Sequence, residues 1–552
     1  MSETQKICKN CGKNFVVTSD EMTMYEKLEA PEAKICFKCR TQQHLAFWVF
    51  GKFRKGKSDL SGDSLITVLP DKPGYPVYTA KEWFSDAWDG MDHGQAYDPA
   101  RPFFDQLTEV WAKVPRPHQV GRNNTDSDWC DDAWESKNSY LSRSLLECED
   151  LMYSYRNVRI KNTSDASYNY DCERCYDITY CFNCFNTKYS FNCQNTVNGI
   201  FLIDCRNVQD SFMCWNLRNK RYCILNEQYT KEEYQAKIAA INFGSRKAIA
   251  ELQKQFDNLV RDHVVHRENL NFKTFDSVGN YMSNCNRCIN TFYWEESQDC
   301  FNCFRGLGNK SDIDLTGCLG AELCCNTANS IDGLYQIRTS SWLSNCRYSE
   351  YLDQCIDCEY CFGCVGLKKK KYCILNKQYS EEEYGKLRGE IVAKMKGSGI
   401  YGDFLPDSMR PSGYNVTNAQ VYFPLTKEEA IAKGLPWEDV ADTHLDGISP
   451  DELPDDIKDV QDTVTTQALI CPQTHYRFNI APRELAFYRM MQIPLPRLHS
   501  DARNLNRFQK LAIIDAYPYQ CTYCDKSIQA YYPPEWGYQK IACEECYQRE
   551  IS

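Results

Sequence analysis

The sequence predicts a mainly β fold with helical insertions, in which a duplicated, cysteine-rich β-solenoid is flanked by small metal-binding modules. Three observations lead to this prediction. Of the 552 residues, 32 are cysteines, and most of them stand in C-x2-C pairs. A segment in the middle of the chain recurs 150 residues later. Cysteines within the repeated region follow one another at steps of nine residues, which is not the 3.6-residue period of a helix.

Composition limits the class of protein. Hydrophobic residues make up 43% of the chain and aromatic residues 13%, which excludes a disordered chain, and the length allows several domains. The net charge of −11 excludes a global basic footprint for nucleic acid. The sequence predicts no secretory signal and no membrane-spanning segment, so we expect a cytoplasmic protein with no membrane partner. Paired cysteines in that reducing compartment are better interpreted as metal ligands than as disulfides.

Two sets of cysteines bracket the chain. Each set offers four thiolates in two knuckles, and this arrangement closes a tetrahedral zinc shell. We therefore predict about two zinc ions per chain. The predicted ligands are Cys8, Cys11, Cys36 and Cys39 at one end and Cys521, Cys524, Cys543 and Cys546 at the other.

The middle of the chain is duplicated. Residues 217–234 match residues 367–384 almost position for position. Each copy enters a helix through a capping box, in which a hydroxyl and a glutamate satisfy free amide groups. The boxes are Thr230-x-x-Glu233 and Ser380-x-x-Glu383, and a third, Thr426-x-x-Glu429, starts a short helix later in the chain. The first of these helices is predicted to continue to about His263.

The N-terminal module also recurs, at an offset of 463 residues, but without its ligands. Cys8 falls on Cys471, whereas Cys11, Cys36 and Cys39 fall on Thr474, His499 and Ala502. Two possible ligands are too few for a closed structural site. We therefore interpret residues 466–515 as a degenerate module that has lost its metal and keeps its shape by packing.

The nine-residue step favours a solenoid with eighteen-residue coils. Cys346 would then stack over Cys364, with the inner thiols packing as small hydrophobic groups. Asn-rich segments would supply corners with a left-handed backbone. Zinc is an alternative for two clusters with ligand-like spacing, and an iron–sulfur cluster is a further one for Cys355–Cys364. The possible zinc ligands are Cys172, Cys175, Cys181, Cys184, Cys285, Cys288, Cys300 and Cys303.

These motifs resemble those of a known family. Cys8-Lys-Asn-Cys11-Gly-Lys-x-Phe15 with Cys36-Phe-Lys-Cys39-Arg40 resembles the zinc-ribbon domain of many uncharacterised bacterial proteins. The C-terminal set is similar to a second small ribbon that often accompanies it. The repeated Tyr-Cys-Ile-Leu-Asn-x-Gln-Tyr resembles the cysteine-rich segment of large proteins that carry both ribbons. The resemblance implies zinc at the eight terminal cysteines and implies no activity. The chain departs from the pattern at Thr474, His499 and Ala502.

The predicted organisation follows from these features. It comprises an N-terminal zinc ribbon (1–57), an aromatic and acidic connecting segment (58–135), solenoid half 1 (136–229), a helical insertion (230–275), solenoid half 2 (276–379), a helix and connecting segment (380–440), an acidic linker containing Asp442 (441–465), the degenerate module (466–515) and a C-terminal zinc ribbon (516–552). The aromatic patches Trp83–Asp89 and Asp128–Trp134 are interpreted as plugs for the open solenoid ends.

The sequence contains no comparably strong catalytic signature. His263 and His266, predicted on one helix, lack further ligands, and a packed or solvated pair is favoured. The leading hypothesis is a non-enzymatic, zinc-stabilised scaffold that binds a protein or ribonucleoprotein, with nucleic-acid docking through local basic clusters. These clusters contain Arg54, Lys55, Lys57, Lys368, Lys369, Lys370 and Lys371. The alternatives are a self-associating structural protein and, more weakly, a glycan-acting enzyme of the β-helix type.

Overall fold

The computed structural model describes residues 3–329, 332–439, 446–511 and 514–551, and it is mainly β. The chain divides into two compact units, each built from two distant segments. Unit 1 contains Met1–Gln119 and Asn269–Asp439, and unit 2 contains Val120–Glu268 and Val440–Ser552. Each unit therefore combines terminal modules with one copy of the duplicated middle, and the N-terminal module shares its unit with the second copy.

Unit 2 contains a long sheet whose strands are parallel except for the last pair. Residue 149 pairs with residue 161, residue 197 with residue 209 and residue 209 with residue 221, so the chain advances twelve residues from strand to strand. The strands are Gly121–Arg122, Cys130–Trp134, Ser142–Leu146, Glu149–Met152, Tyr155–Val158, Lys161–Tyr170, Tyr176–Thr179, Lys188–Phe191, Val197–Ile203, Gln209–Trp215, Arg221–Ile224 and Glu227–Gln228.

Unit 1 contains the corresponding stack in two sheets of four and five strands. The step is again twelve residues, with two kinds of exception. It is eleven for the pairs Phe272–Ser283, Phe275–Asn286 and Val278–Ile289, and thirteen for Glu322–Tyr335 and Cys325–Arg338. The strands are Val278–Ser283, Ile289–Glu295, Phe304–Leu307 and Thr316–Leu319, followed by Tyr335–Arg338, Arg347–Glu350, Glu359–Phe362, Lys371–Ile374 and Lys377–Gln378.

The predicted eighteen-residue coil is wrong. Arg347 pairs with Glu359, which aligns Cys346 with Cys358 and not with Cys364. The reason is that the backbone turns through the left-handed region at about every third residue, with φ of 52° at Asn183, 47° at Asn186 and 52° at Tyr189. Four such turns span twelve residues, which equals the offset between paired strands. The predicted left-handed conformation of the Asn corners is confirmed, for example at Asn183.

Hydrogen bonds explain why the cysteines follow one another at intervals of nine residues. The Cys355 thiol donates to the carbonyl oxygen of Cys364 at 3.5 Å, and the Cys346 thiol donates to that of Cys355 at 3.4 Å. Nine residues are thus three quarters of a twelve-residue step. Most thiols of the middle are fully buried and form the centre of each stack with leucine, isoleucine and alanine side chains.

Helices begin where the capping boxes predict them. Thr230, Ser380 and Thr426 are the N-caps of their helices, each with its glutamate returning the hydrogen bond. The helices of unit 1 are Ser19–Lys27, Phe37–Leu45, Ala80–Phe84, Phe103–Lys113, Glu381–Gly397, Asn418–Tyr422 and Lys427–Ala432. Those of unit 2 are Lys231–Ala239, Arg246–Asp262, Pro482–Met491, Ser500–Phe508 and Glu544–Ile551.

Two details of the helical prediction are wrong. The helix after Thr230 is interrupted, because Ser245 caps a second helix, Arg246–Asp262. His263 is the C-cap of that helix, whereas His266 lies in the short strand His266–Arg267, with its ring stacked on Tyr538 at 3.6 Å. The two histidines therefore share no helix face.

The remaining connecting segments are packed. Within the predicted acidic linker, Ile457, Val460 and Val464 are buried in the core of unit 2, while Asp442 lies outside the described residues. The segment after Trp83 does cover the end of the unit 1 stack, since the Asn376 side chain donates to the Gly90 carbonyl at 2.8 Å. Cys130–Trp134, by contrast, is a strand of the stack and not a plug.

Candidate metal centres

The first four-thiol cluster is assembled by a β-hairpin and a helix N-terminus. The hairpin pairs Thr4–Ile7 with Asn14–Val17, and its turn is closed by hydrogen bonds from the Cys8 amide to Lys13 and from the Gly12 amide to Cys8, both at 2.9 Å. Gly12 has φ of 71°, a left-handed conformation that glycine adopts readily. This turn presents the thiols of Cys8 and Cys11 side by side.

The second pair of thiols comes from the helix Phe37–Leu45. Cys36 is its N-cap, and the Cys36 amide donates to the Cys8 sulfur at 3.2 Å. The Cys11 and Cys36 sulfurs are 3.8 Å apart, and all four sulfurs of the quartet lie within 4.8 Å of one another. The hydrogen bond with Cys39 lowers the pKa of Cys36 to about 4. The cluster thus favours at least one thiolate even without added positive charge.

The second cluster repeats this construction in unit 2. Its hairpin pairs Tyr517–Gln520 with Ser527–Ala530. The Cys521 amide bonds to Lys526 at 2.9 Å, and Asp525 takes the left-handed position, with φ of 55°, that Gly12 has in the first hairpin. The Cys543 amide donates to the Cys521 sulfur at 3.4 Å, just before the helix Glu544–Ile551.

The electrostatics of the second cluster also favour an anionic sulfur. The Cys524 and Cys543 sulfurs are 3.8 Å apart, and the four sulfurs lie within 4.8 Å of one another. Burial raises the pKa of Cys521, but amide hydrogen bonds, led by that from Cys543, outweigh burial and bring it to about 6. Burial and the neighbouring thiols raise the pKa of Cys546 to about 12. A bound cation would replace these protons, because metal ligation requires deprotonated thiols.

The structure brings together the eight predicted terminal ligands as two separate quartets, each of which could hold a metal ion. Each site combines four sulfur donors with an amide–sulfur hydrogen bond. This is typical of closed structural centres, which leave no position open for a substrate. The arrangement can therefore stabilise local structure and offers no chemistry of its own.

A further hairpin of the same design was missed by the sequence analysis. Arg54–Lys57 pairs with Ser64–Thr67, and the Ser58 and Gly62 amides make the same turn hydrogen bonds as Cys8 and Gly12. Ser58 and Ser61 stand where the first hairpin has Cys8 and Cys11. The Ser58 hydroxyl donates to Glu82 at 2.5 Å. The sequence pattern that indicates this hairpin is Ser58-x-x-Ser61-Gly62, which lies fifty residues after Cys8-x-x-Cys11-Gly12.

The degenerate module keeps its hairpin as well. Leu469–Ile470 pairs with Arg477–Phe478, and the Cys471 amide bonds to Tyr476 at 2.9 Å. Hydrogen bonds, first from the Thr474 hydroxyl and then from the His499 amide, outweigh burial and lower the pKa of Cys471. No metal-sized group of three or more ligands occurs here within the described part of the chain.

The interior thiols are hydrogen-bonded to the backbone. For example, the Cys172 thiol donates to the carbonyl oxygens of Tyr170 at 3.3 Å and Cys181 at 3.5 Å. Among the residues that the structure describes, no three interior thiols have sulfur atoms within 4.8 Å of one another. This applies to all eight possible ligands, namely Cys172, Cys175, Cys181, Cys184, Cys285, Cys288, Cys300 and Cys303.

Several basic residues predicted to contact nucleic acid have partners inside unit 1. Lys370 pairs with Asp89 and Lys371 with Glu359, both at 2.7 Å. Arg54 lies 2.8 Å from Asp71, and Lys368 donates to Ser85 and sits 4.4 Å from the centre of the Trp88 ring. Lys55, Lys57 and Lys369 are exposed.

Comparisons with known proteins do not identify the chain. No family model matches it. No curated protein matches it in sequence. Among solved structures, the crystal structure of a proposed acetyltransferase from Desulfovibrio desulfuricans is 9% identical over 51% of this chain and 79% of that chain, with a TM-score of 0.10. A TM-score this low carries no argument about fold or function. Within the described residues, every helix is too short or too polar to cross a bilayer.

Proposed function

We propose that the chain is a non-enzymatic scaffold whose terminal modules are held by zinc and whose middle is a pair of β-solenoids with twelve-residue coils. The observation that carries the proposal is the presence of two closed quartets of thiols, one in each unit. Four thiolates without an open position are the ligand set of structural zinc. The parallel pairing at steps of twelve residues supports the solenoid. The cytoplasm remains the predicted compartment.

Metal analysis of the purified full-length protein tests the zinc assignment. The expected content is about two zinc ions per chain, one for each quartet. Cys36→Ser should reduce the content by about one ion. The matched control is Cys193→Ser, which removes a buried thiol of the unit 2 stack, outside both quartets, and should leave the content unchanged. Four or more ions, with loss of metal in the control, would mean that interior thiols bind metal.

The partner that the geometry supports best is a protein or a ribonucleoprotein. Docking on nucleic acid would rest on Lys55, Lys57 and Lys369, because the neighbouring cations are engaged in ion pairs. Binding to a single-stranded RNA should then weaken steeply with added salt. Lys55→Ala with Lys57→Ala should reduce both the affinity and the salt slope. Binding that is salt-independent, or absent at low salt, would exclude phosphate contacts.

Self-association is the second candidate, and one observation favours it. On the first coil of the unit 1 stack, Phe272, Phe275 and Val278 expose 49%, 73% and 53% of their surfaces. Apolar side chains beside the open edge of a parallel stack are suited to contact with another chain. Sedimentation velocity over a range of concentrations tests this candidate. Phe275→Glu should abolish a concentration-dependent dimer, and a monomer at all concentrations would exclude it.

A further inference from the structure

Unit 2 contains a cavity that the scaffold function does not use. Its volume is about 350 Å³, within the range of small-molecule sites. Part of its wall comes from neighbouring strands of the stack, including Tyr176–Thr179 and Lys188–Phe191, and part from the helix Arg246–Asp262. The end of the degenerate module, at Arg507, and the C-terminal module, at Trp536, complete the wall. Four parts of unit 2 therefore converge on one space.

Two buried hydroxyl groups of the wall have no partner. Tyr189 and Thr179, which are 8% and 4% exposed, line the cavity, and neither hydroxyl makes a hydrogen bond with a residue that the structure describes. Both hydroxyl oxygens keep accessible surface, since neither is among the fully enclosed polar atoms that lack a partner. Burying a hydroxyl without a hydrogen bond is costly. A molecule in the cavity would supply the missing partner.

A carboxylate lies close to these hydroxyls. Asp177 lines the cavity, two positions before Thr179 and at the position of its strand that matches Tyr189 on the next strand. Its ion pair with Arg507 is long, at 3.8 Å, whereas the same nitrogen lies 2.9 Å from Asp165. Burial raises the pKa of Tyr189 well above its usual value, so this hydroxyl stays protonated. The wall thus offers an acidic acceptor beside two hydroxyls that can donate or accept.

The charges around the cavity are balanced, which favours a neutral ligand. Arg261 of the wall pairs with Asp262 at 2.8 Å. Asp165, which Arg507 contacts, also pairs with Arg503 at 2.9 Å. The other charged groups of the wall are two cations and two carboxylates, namely Arg507, Lys510, Asp177 and Asp257. All four thiols of the second metal centre are described, and none of them lines the cavity.

We propose that this cavity binds a neutral sugar in its pyranose form. A sugar hydroxyl can donate to Asp177 and accept from Tyr189 or Thr179, because a hydroxyl is both donor and acceptor. The C–H groups of the ring would pack on aromatic side chains, whose faces carry partial negative charge. These side chains are Phe191, Phe256, Trp536 and Tyr538. A flat ring without hydroxyls would leave the wall hydroxyls unpaired, and an ion would disturb the charge balance.

Saturation-transfer NMR on the full-length, zinc-loaded protein tests the proposal with the methyl glycosides of glucose, galactose and mannose. At least one of these probes should bind saturably, with a dissociation constant of about 1 mM and with transfer to its ring C–H protons. Adenine and benzyl alcohol, which have flat rings, are the comparison ligands and should bind more weakly. The proposal is overturned if no glycoside binds at millimolar concentrations, or if a comparison ligand binds more tightly than all three glycosides.

Tyr189→Phe gives the sharpest variant, because it removes a hydroxyl that the folded chain does not use. It should leave the thermal midpoint unchanged and weaken glycoside binding about fivefold, as expected for a lost neutral hydrogen bond. Tyr222→Phe is the matched control. It removes another tyrosine hydroxyl from a left-handed position of the same stack, outside the cavity, and should leave binding unchanged. Equal binding by the two variants would contradict the proposal.

Asp177→Asn tests the carboxylate separately. Asparagine tolerates the left-handed backbone of this position, where φ is 49°, so the variant should fold. Glycoside binding should weaken about tenfold or more, because a charged acceptor is lost. Asp171→Asn, at a left-handed position with φ of 53° outside the cavity, is the control and should bind like the native chain. Full binding by Asp177→Asn would exclude the proposed contact with the sugar.

Discussion

Buried arginine–carboxylate pairs anchor the terminal modules in both units. In unit 1, Arg40 lies 2.7 Å from Asp314, and the Tyr25 hydroxyl donates to the same carboxylate. In unit 2, Arg503, which is the repeat of Arg40, lies 2.9 Å from Asp165 of the stack. The pairing of arginine with a buried carboxylate of the stack is thus present in the degenerate module as well, although the full set of four thiols is not. Packing and ion pairs hold the module where thiols are missing.

Replacing Asp165 tests this anchoring. Asp165 also binds Arg507 at 2.9 Å, so Asp165→Asn leaves two buried guanidinium groups without their main counter-ion. Removing one partner of a buried ion pair typically costs 3–5 kcal/mol, so we expect a loss of about that size in the unfolding free energy of unit 2. Asp171→Asn is the control, since its pair with Arg159 is exposed and should cost less than about 1 kcal/mol. Denaturant-dependent hydrogen exchange measures both variants, and equal losses would contradict the account.

Asp312 makes the stability of unit 1 dependent on pH. Burial raises its pKa to about 7, while the Cys324 amide donates to its carboxyl at 2.7 Å. Because the pKa is higher in the folded chain, the stability from the protonated form is complete below about pH 4 and is lost as the pH rises through 7. Relative to Asp312→Asn, the native chain should lose roughly 4 kcal/mol across this interval. Thermal unfolding at pH 4 and pH 8 measures the difference, and identical pH dependence in both proteins would refute it.

At the scale of elements, the four hairpins form a natural comparison. The hairpins that begin at Thr4 and Tyr517 carry full thiol quartets, whereas those that begin at Arg54 and Leu469 do not. All four have the same turn hydrogen bonds. In the hairpin that begins at Arg54, the Ser58 hydroxyl donates a hydrogen bond to Glu82. This hydrogen bond, and to a lesser extent the one from Ser61, lowers the pKa of Glu82 to about 2. A carboxylate thus bonds to the two serines that correspond to Cys8 and Cys11 of the first hairpin.

Removal of metal should therefore affect two of the hairpins and leave the other two unchanged. Removal of metal with a strong zinc chelator should raise hydrogen exchange in residues 4–17 and 517–530, because the thiolates then repel one another and nothing joins the knuckles. Residues 54–67 and 469–478 should keep their protection, since their contacts need no metal. Exchange mass spectrometry of the same sample reports all four regions, so the two metal-free hairpins serve as internal controls. A uniform change, or none, would contradict the proposed role of the metal.

Sequence patterns predicted some elements well and others poorly, for physical reasons. Ligand spacing and capping boxes are local, and so the quartets and the helix starts at Thr230 and Ser380 were correct. The coil length was wrong because left-handed corners are occupied by Tyr189 and Phe201 as well as by Asn195, which hides the three-residue period. The hairpin with Ser58 was missed because it has no thiols. The cavity of unit 1 that is lined by Lys9, Arg338 and Arg410 depends on contacts between distant segments, which no local pattern encodes.

At the scale of the whole molecule, the twelve-residue step makes the chain modular. Neighbouring parallel strands pair at the same twelve-residue offset, so removing twelve residues preserves the pairing of the rest. Deleting residues 183–194 should lower the thermal midpoint of unit 2 but leave a parallel stack. Deleting the ten residues 183–192 should unfold it, because ten is not a multiple of three and the left-handed corners then no longer align. Circular dichroism during heating distinguishes the two, and equal tolerance of both deletions would argue against a twelve-residue coil.

The central claim is that each end of the chain is fastened by one zinc ion held by four cysteine sulfurs. X-ray absorption at the zinc edge of the purified full-length protein tests this most directly. The account predicts one shell of four sulfur atoms at about 2.3 Å, averaged over the two sites. A shell that requires nitrogen or oxygen ligands, or a protein that retains no zinc, would contradict it.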